Sequence, residues 1–290
     1  MASSPSLTSL QYQQRSVSLP SRLHPHDSTI DVELNKLKAW QSSLVSSTAP
    51  TSGETIRTGL AGLADLYSCV EELVQSPITQ AALVQHRNGV LIEEALKESI
   101  GLLDLCNVAR DLLMMMKQNV QDLQSVLRRK GGDLSIEKNV TAYKSSQKKL
   151  KKESAKCIRA LKKMGKQNDL CSIFDANYYL SNLSGVLREV SIVAISVLRS
   201  FFVFLSMADS RPKLSGWSLI KILAVTRPKG LKGSNELTNR NNHSTSDVVQ
   251  ITRRRLEALG DSMEGLETGL HHLFRQLIRN RVSFLNILAQ

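Results

Sequence analysis

From Ile136 to Met164, apolar and small residues recur at alternating steps of four and three. They are Ile136, Val140, Tyr143, Gln147, Leu150, Ser154, Cys157, Leu161 and Met164. Residues so spaced share one stripe of an α-helix. The same stretch holds most of the chain's charge. Between Lys138 and Lys166 stand eleven Lys or Arg residues and one acid, Glu153, a net of +10 against +12 for all 290 residues. A helix of this kind docks by its inner stripe and leaves a cationic surface outward, suited to an acidic partner.

The four-three spacing returns near the end of the chain at Leu256, Leu259, Met263, Leu266, Leu270, Leu273, Leu277, Phe284 and Leu288. It predicts a final helix from about Asp247. Gly260, Gly265 and Gly269 each lower its helicity by roughly 1 kcal/mol against Ala, so close approach by a neighbour is expected in return. Earlier, Ile30, Leu34, Leu37 and Leu44 predict a first helix starting at Ser28 or Thr29. Ser52 caps a second, lined by Ile56, Leu60, Leu63, Tyr67, Val70 and Leu73 and ended by Ser76-Pro77. A short helix near Ile78 to Gln85 precedes a long one from about Val90 to Arg129. Its expected inner face is Leu96, Ile100, Leu103, Cys106, Leu113, Met116, Val120, Leu123 and Leu127. Gly131-Gly132 stops it, which predicts an antiparallel hairpin with the basic helix.

Val190 to Met207 carries a single charge, Arg199. A membrane span is one reading. A central bundle helix surrounded by neighbours is the favoured one, because a mid-bilayer Arg costs roughly 2.5–3.5 kcal/mol. Ser210 to Gly216 reads as a turn, Trp217 to Val225 as a short apolar piece, and residues 226–246 as a flexible loop. The expected fold is therefore all-α: an elongated antiparallel helical bundle of long helices forming one domain over residues 28–290, behind a disordered tail at residues 1–27. Aromatics at 4% and an apolar share of 41% fit a leucine-packed bundle.

Sequence patterns for catalysis are lacking. There is no Walker phosphate loop, no Gly-x-Gly-x-x-Gly turn and no Gly-x-Ser-x-Gly elbow, so neither an enzyme nor a cofactor or small-molecule substrate is indicated. His24 and His26 lie in the tail, and His271-His272 point about a hundred degrees apart on a helix, a poor start for a metal site. Cys69, Cys106, Cys157 and Cys171 form no Cys-x-x-Cys pair, and three of them lie on or beside apolar stripes. They read as reduced thiols of an intracellular, cytoplasmic protein, with nuclear or peripheral membrane location as alternatives. No signal peptide opens the chain, so the three glycosylation-type sequons, at Asn139, Asn182 and Asn242, read as chance and secretion is not expected.

Lys148, Lys149, Lys151, Lys152, Lys156, Lys162 and Lys163 are the candidate contacts of the basic helix. A solvated cationic face is the plain reading. Beside it stand anionic lipid, at about 1 kcal/mol per Lys or Arg near a negative leaflet, and recognition by calmodulin or an import receptor. Nucleic acid fits less well without interleaved aromatics. In the tail, Arg15, Ser16, Ser18 and Pro20 have the order Arg-Ser-x-Ser-x-Pro, similar to the phosphoserine ligand of 14-3-3 proteins. Phosphate on Ser18 would add a near-double negative charge for an Arg cluster. A chance match in a Ser-rich tail is the other reading.

Several blocks carry a family resemblance. They include Ser18-Leu19-Pro20-Ser21-Arg22, Glu33 to Trp40, Gly59-Leu60-Ala61-Gly62-Leu63 and Leu102-Leu103-Asp104-Leu105-Cys106. The most distinctive is the ending, Arg255 to Leu259 and then Ile278-Arg279-Asn280-Arg281-Val282-Ser283-Phe284 through Leu288. Together they resemble the plant BYPASS-type developmental proteins. The resemblance implies a helical plant protein linked to root and shoot development, and it brings no catalytic residues. The expected function is a non-enzymatic regulator or scaffold acting through protein contacts, with a peripheral membrane protein as the alternative.

Overall fold

Pro25 opens the first helix, where its fixed φ suits the first turn and its missing N–H costs nothing. In the computed structural model, which describes residues 25–47, 51–85, 89–128, 133–168, 178–207 and 237–289, seven helices and no strand are found among the described residues. They are α1 (Pro25–Ser46), α2 (Gly53–Gln75), α3 (Pro77–Gln85), α4 (Gly89–Arg128), α5 (Asp133–Asn168), α6 (Tyr178–Ser206) and α7 (Leu237–Leu288). The fold is all-α, as the spacing required. Ser52 caps α2 by accepting the backbone N–H of Thr55 at 3.0 Å. Ser76 repeats the device for α3, accepting from the Thr79 N–H at 3.3 Å just ahead of Pro77.

Contacts between side chains give the directions of the helices. Trp40 of α1 donates its indole N–H to the Thr55 carbonyl at 2.9 Å, and Leu37 lies against Gly62, so α1 and α2 run antiparallel. Lys117 meets Glu267 at 2.6 Å and Arg281 meets the Leu96 carbonyl at 2.7 Å, so α4 and α7 are also antiparallel. By contrast, Gly53 faces Ser262, Gly269 faces Leu60 and Asn280 bonds the Tyr67 carbonyl. Helices α2 and α7 therefore run parallel, although about two hundred residues separate their partners. The expected glycine contacts appear at Gly265 and Gly269, which face Arg57 and Leu60, but Gly260 faces open space.

Gly59 is where a side chain would do most harm. A Cβ there would stand 2.4–2.8 Å from three atoms of the Trp40 ring. Gly59→Ala gains roughly 1 kcal/mol of helix propensity, but overpacking of this kind costs about 1–3 kcal/mol. The expected result is a net destabilisation of up to about 2 kcal/mol. In a Trp217→Phe background, Trp40 fluorescence should shift to the red as the ring is displaced. An unchanged spectrum and midpoint would contradict the contact.

By length and composition α6 could cross a membrane, with 28 residues from Tyr179 to Ser206 and mean hydropathy up to 1.8. In the bundle it packs against α1, α2, α3, α4 and α5. Sequence neighbours Phe201 and Phe202 are both fully buried, edge to face at 5.5 Å between centroids. Together with packing against five other helices, this places α6 inside the bundle.

Besides the parallel pairing of α2 with α7, which an antiparallel bundle does not contain, the structure departs from the sequence expectations in four places. Helix α1 begins at Pro25 rather than at Ser28 or Thr29. Helix α7 begins at Leu237, so the second half of the expected loop at residues 226–246 is helical. No Gly or Pro stands between Leu237 and Leu259, and extending an existing helix is cheap compared with starting one. The rest of that loop, the turn after Ser210 and the Trp217 to Val225 piece lie outside the described residues. On α4, Ile100 is 47% exposed while Leu102, Leu105 and Leu112 are buried, and on α7 Ile287 is buried in place of Leu288. Both α7 and α5 pack on α4, so its buried face is wider than one four-three stripe.

Candidate functional site

Where its side chains are described, the inner stripe of α5 lies where its spacing put it, with Met164 half-buried and Ile136 and Val140 outside the described side chains. Tyr143, Gln147, Leu150, Ser154, Cys157 and Leu161 are buried, Leu150 and Leu161 completely. They pack against α6 and α4. A Cβ on Gly101 would touch Met164 at 3.1 Å, which sets the start of α4 beside the end of α5 and makes the expected antiparallel hairpin.

With that stripe fixed, the basic residues fall on the outward faces of α5. Lys148, Lys149, Lys151, Lys152, Lys156, Lys162 and Lys163 are all exposed, as are Lys138, Lys144, Arg159 and Lys166. Lys156 pairs with Glu153 at 2.9 Å. That hydrogen bond, helped by the charges of Lys156, Lys152 and Lys149, holds the Glu153 carboxyl below the usual range. At neutral pH the face therefore remains a dense array of like charges with one ionised acid inside it. Such an array attracts a polyanion through its summed field more than through any single contact. Arg15, Ser16, Ser18 and Pro20 lie outside the described residues.

A second concavity was missed from the sequence. It is a half-open hollow of about 80 Å³ lined by α2, α4, α6 and α7. Its polar groups come from distant parts of the chain: Tyr67, Glu94, Glu98, Ser99, Arg188, Asn280 and Arg281 among them. Asn280 is buried and donates to the carbonyls of Tyr67 at 2.7 Å and Gln276 at 3.0 Å. Arg281 donates through Nη1 to the Leu96 carbonyl at 2.7 Å and to Ser99 Oγ at 3.0 Å. Burial, and then the negative charge of Glu98, raises the Tyr67 phenol well above its ordinary range, so it stays neutral. One signal was present in the sequence. The seam of α7 steps from Leu277 to Phe284, and the position skipped between them is Asn280.

Among the described residues no group of three His, Cys, Asp or Glu is placed to hold a metal. The described thiols are muted rather than activated: burial pushes Cys106 up to about 12 and also raises Cys157 and Cys69. A thiol held near 12 exposes about a thousandfold less thiolate at neutral pH than one at 9. Alkylation of the native protein, followed by peptide mass spectrometry, should leave Cys106 unmodified while urea-unfolded protein reacts fully. Rapid native labelling of Cys106 would contradict its burial.

A family model described as Protein BPS1 matches residues 59–287, which run from α2 through α7 and include both the lysine face and the cavity. No curated protein and no solved structure matches the chain.

Proposed function

The chain belongs to the BPS1 family, and from that membership and the surface of α5 we propose that it is a non-enzymatic regulator or scaffold of root and shoot development. It acts through protein contacts inside the cell, with the lysine face of α5 taking an acidic surface of a partner. The carrying observation is that all seven candidate lysines are exposed on one helix whose other side is anchored in the bundle. The Ser18 segment supplies a second, adjustable contact when phosphorylated, through a 14-3-3 protein.

A second reading has its own support. Ten of the eleven basic residues between Lys138 and Lys166 are lysines, compact charges that suit a diffuse field better than a bidentate pairing. An anionic lipid surface presents such a field. The test compares wild type with a variant carrying Glu at the seven lysine positions. Partner proteins recovered by reciprocal affinity isolation should be lost in the variant, while its distribution in the cell is unchanged. An unaltered set of partners would overturn the proposal. Sedimentation of wild type with phosphoinositide vesicles, together with redistribution of the variant, would establish the lipid reading instead.

A further inference from the structure

We propose that the cavity between α2, α4, α6 and α7 is a binding site for a small carboxylic acid with a compact apolar body, held by Arg281. This is independent of the role given to α5. The body of the cavity is made by Leu102, Leu187, Leu277 and Phe284. Sites for small molecules have this composition: mostly apolar walls with a few fixed polar groups that set orientation. A volume of about 80 Å³, open to solvent on one side and about half that of a closed cavity that holds benzene, seats part of a branched four- or five-carbon group or one edge of a ring.

The acid is argued from Arg281. Both of its hydrogen bonds leave from Nη1, to Leu96 and Ser99, and it forms no ion pair among the described residues. A guanidinium carries five N–H donors in a rigid fork that matches a carboxylate. The two bonds from Nη1 fix the fork in advance, so little freedom remains to be lost when an anion arrives. Glu94, Glu98 and Arg188 also line the cavity, so with Arg281 the lining has two acids and two bases and is balanced in formal charge. Glu98 and Arg188 already interact within the protein. Glu94 has no comparable pair of bonds holding it in position, which makes Arg281 the better organised anchor.

The experiment uses the full-length protein and ligand-observed NMR titration with 3-methylbutanoate and benzoate, beside 3-methylbutanamide and 3-methylbutylamine. The acids are expected to bind at least tenfold more tightly than the amide and the amine. Arg281→Gln should weaken the acids at least tenfold and leave the amide unchanged. Arg281→Lys, which keeps the charge but not the fork, is expected to fall between the two. Ala95→Phe, which fills the hollow from α4, should abolish binding of every probe. If Arg281→Gln does not fold, the Lys and Phe variants still decide the matter. The proposal is overturned if wild type binds no acid, if acid and amide bind alike, if the amine binds best, or if Ala95→Phe binds normally.

Discussion

Phe202→Ala is expected to lower the free energy of unfolding by about 3–5 kcal/mol, the range for removing a buried aromatic ring. Phe202 is fully buried, and its ring meets Phe201 edge to face. The structure around it can relax little, because α6 is held on several sides by five other helices. Against a total stability of about 5–15 kcal/mol for a folded domain, such a loss removes a large part of the margin. Chemical denaturation followed by circular dichroism would measure it. An effect under about 1 kcal/mol would mean that α6 does not sit within the bundle.

Changing Lys148, Lys149, Lys151 and Lys152 to Glu is expected to weaken association with an anionic surface by at least a thousandfold. At about 1 kcal/mol per lysine, removing four charges costs about 4 kcal/mol, and adding four acids costs more. All four side chains are exposed, so the bundle should keep its unfolding midpoint while affinity falls. The wild-type interaction should also weaken steeply as salt rises, because exposed charges beyond about 10 Å are screened at 0.1 M. Binding that ignored both the substitutions and the salt would remove α5 from the contact.

What could be read from the sequence was local. A four-three spacing identifies a helical face wherever that face is clean, so the buried stripe of α5 and the outward lysines followed directly. The antiparallel hairpin of α4 and α5 followed from a Gly-Gly stop between two long periodic segments. Errors arose where one helix meets two neighbours at once. On α4, burial by both α7 and α5 widens the inner face, and a single stripe cannot say whether Ile100 or Leu102 lies within it. Ser28 and Thr29 looked like a cap, but Pro25 starts the helix a turn earlier.

The cavity was illegible for a different reason. Tyr67, Glu98, Arg188 and Arg281 meet only after four helices have assembled, and no spacing along the chain encodes that meeting. The one trace, Asn280 standing at a seam position, has a meaning only beside the Tyr67 carbonyl. Family membership covers these same residues without saying what they hold.

The parallel pairing of α2 with α7 has a bearing on how the molecule is made. Gln75 finds Ser283 across 208 positions and Tyr67 finds Asn280 across 213. At about 5–20 residues per second on the ribosome, the greasy side of α2 waits roughly ten to forty seconds for its mate to emerge. During that interval a nascent chain leaves Ile56, Leu60 and Leu63 without their mate on α7, an opening for chaperones and for aggregation alike.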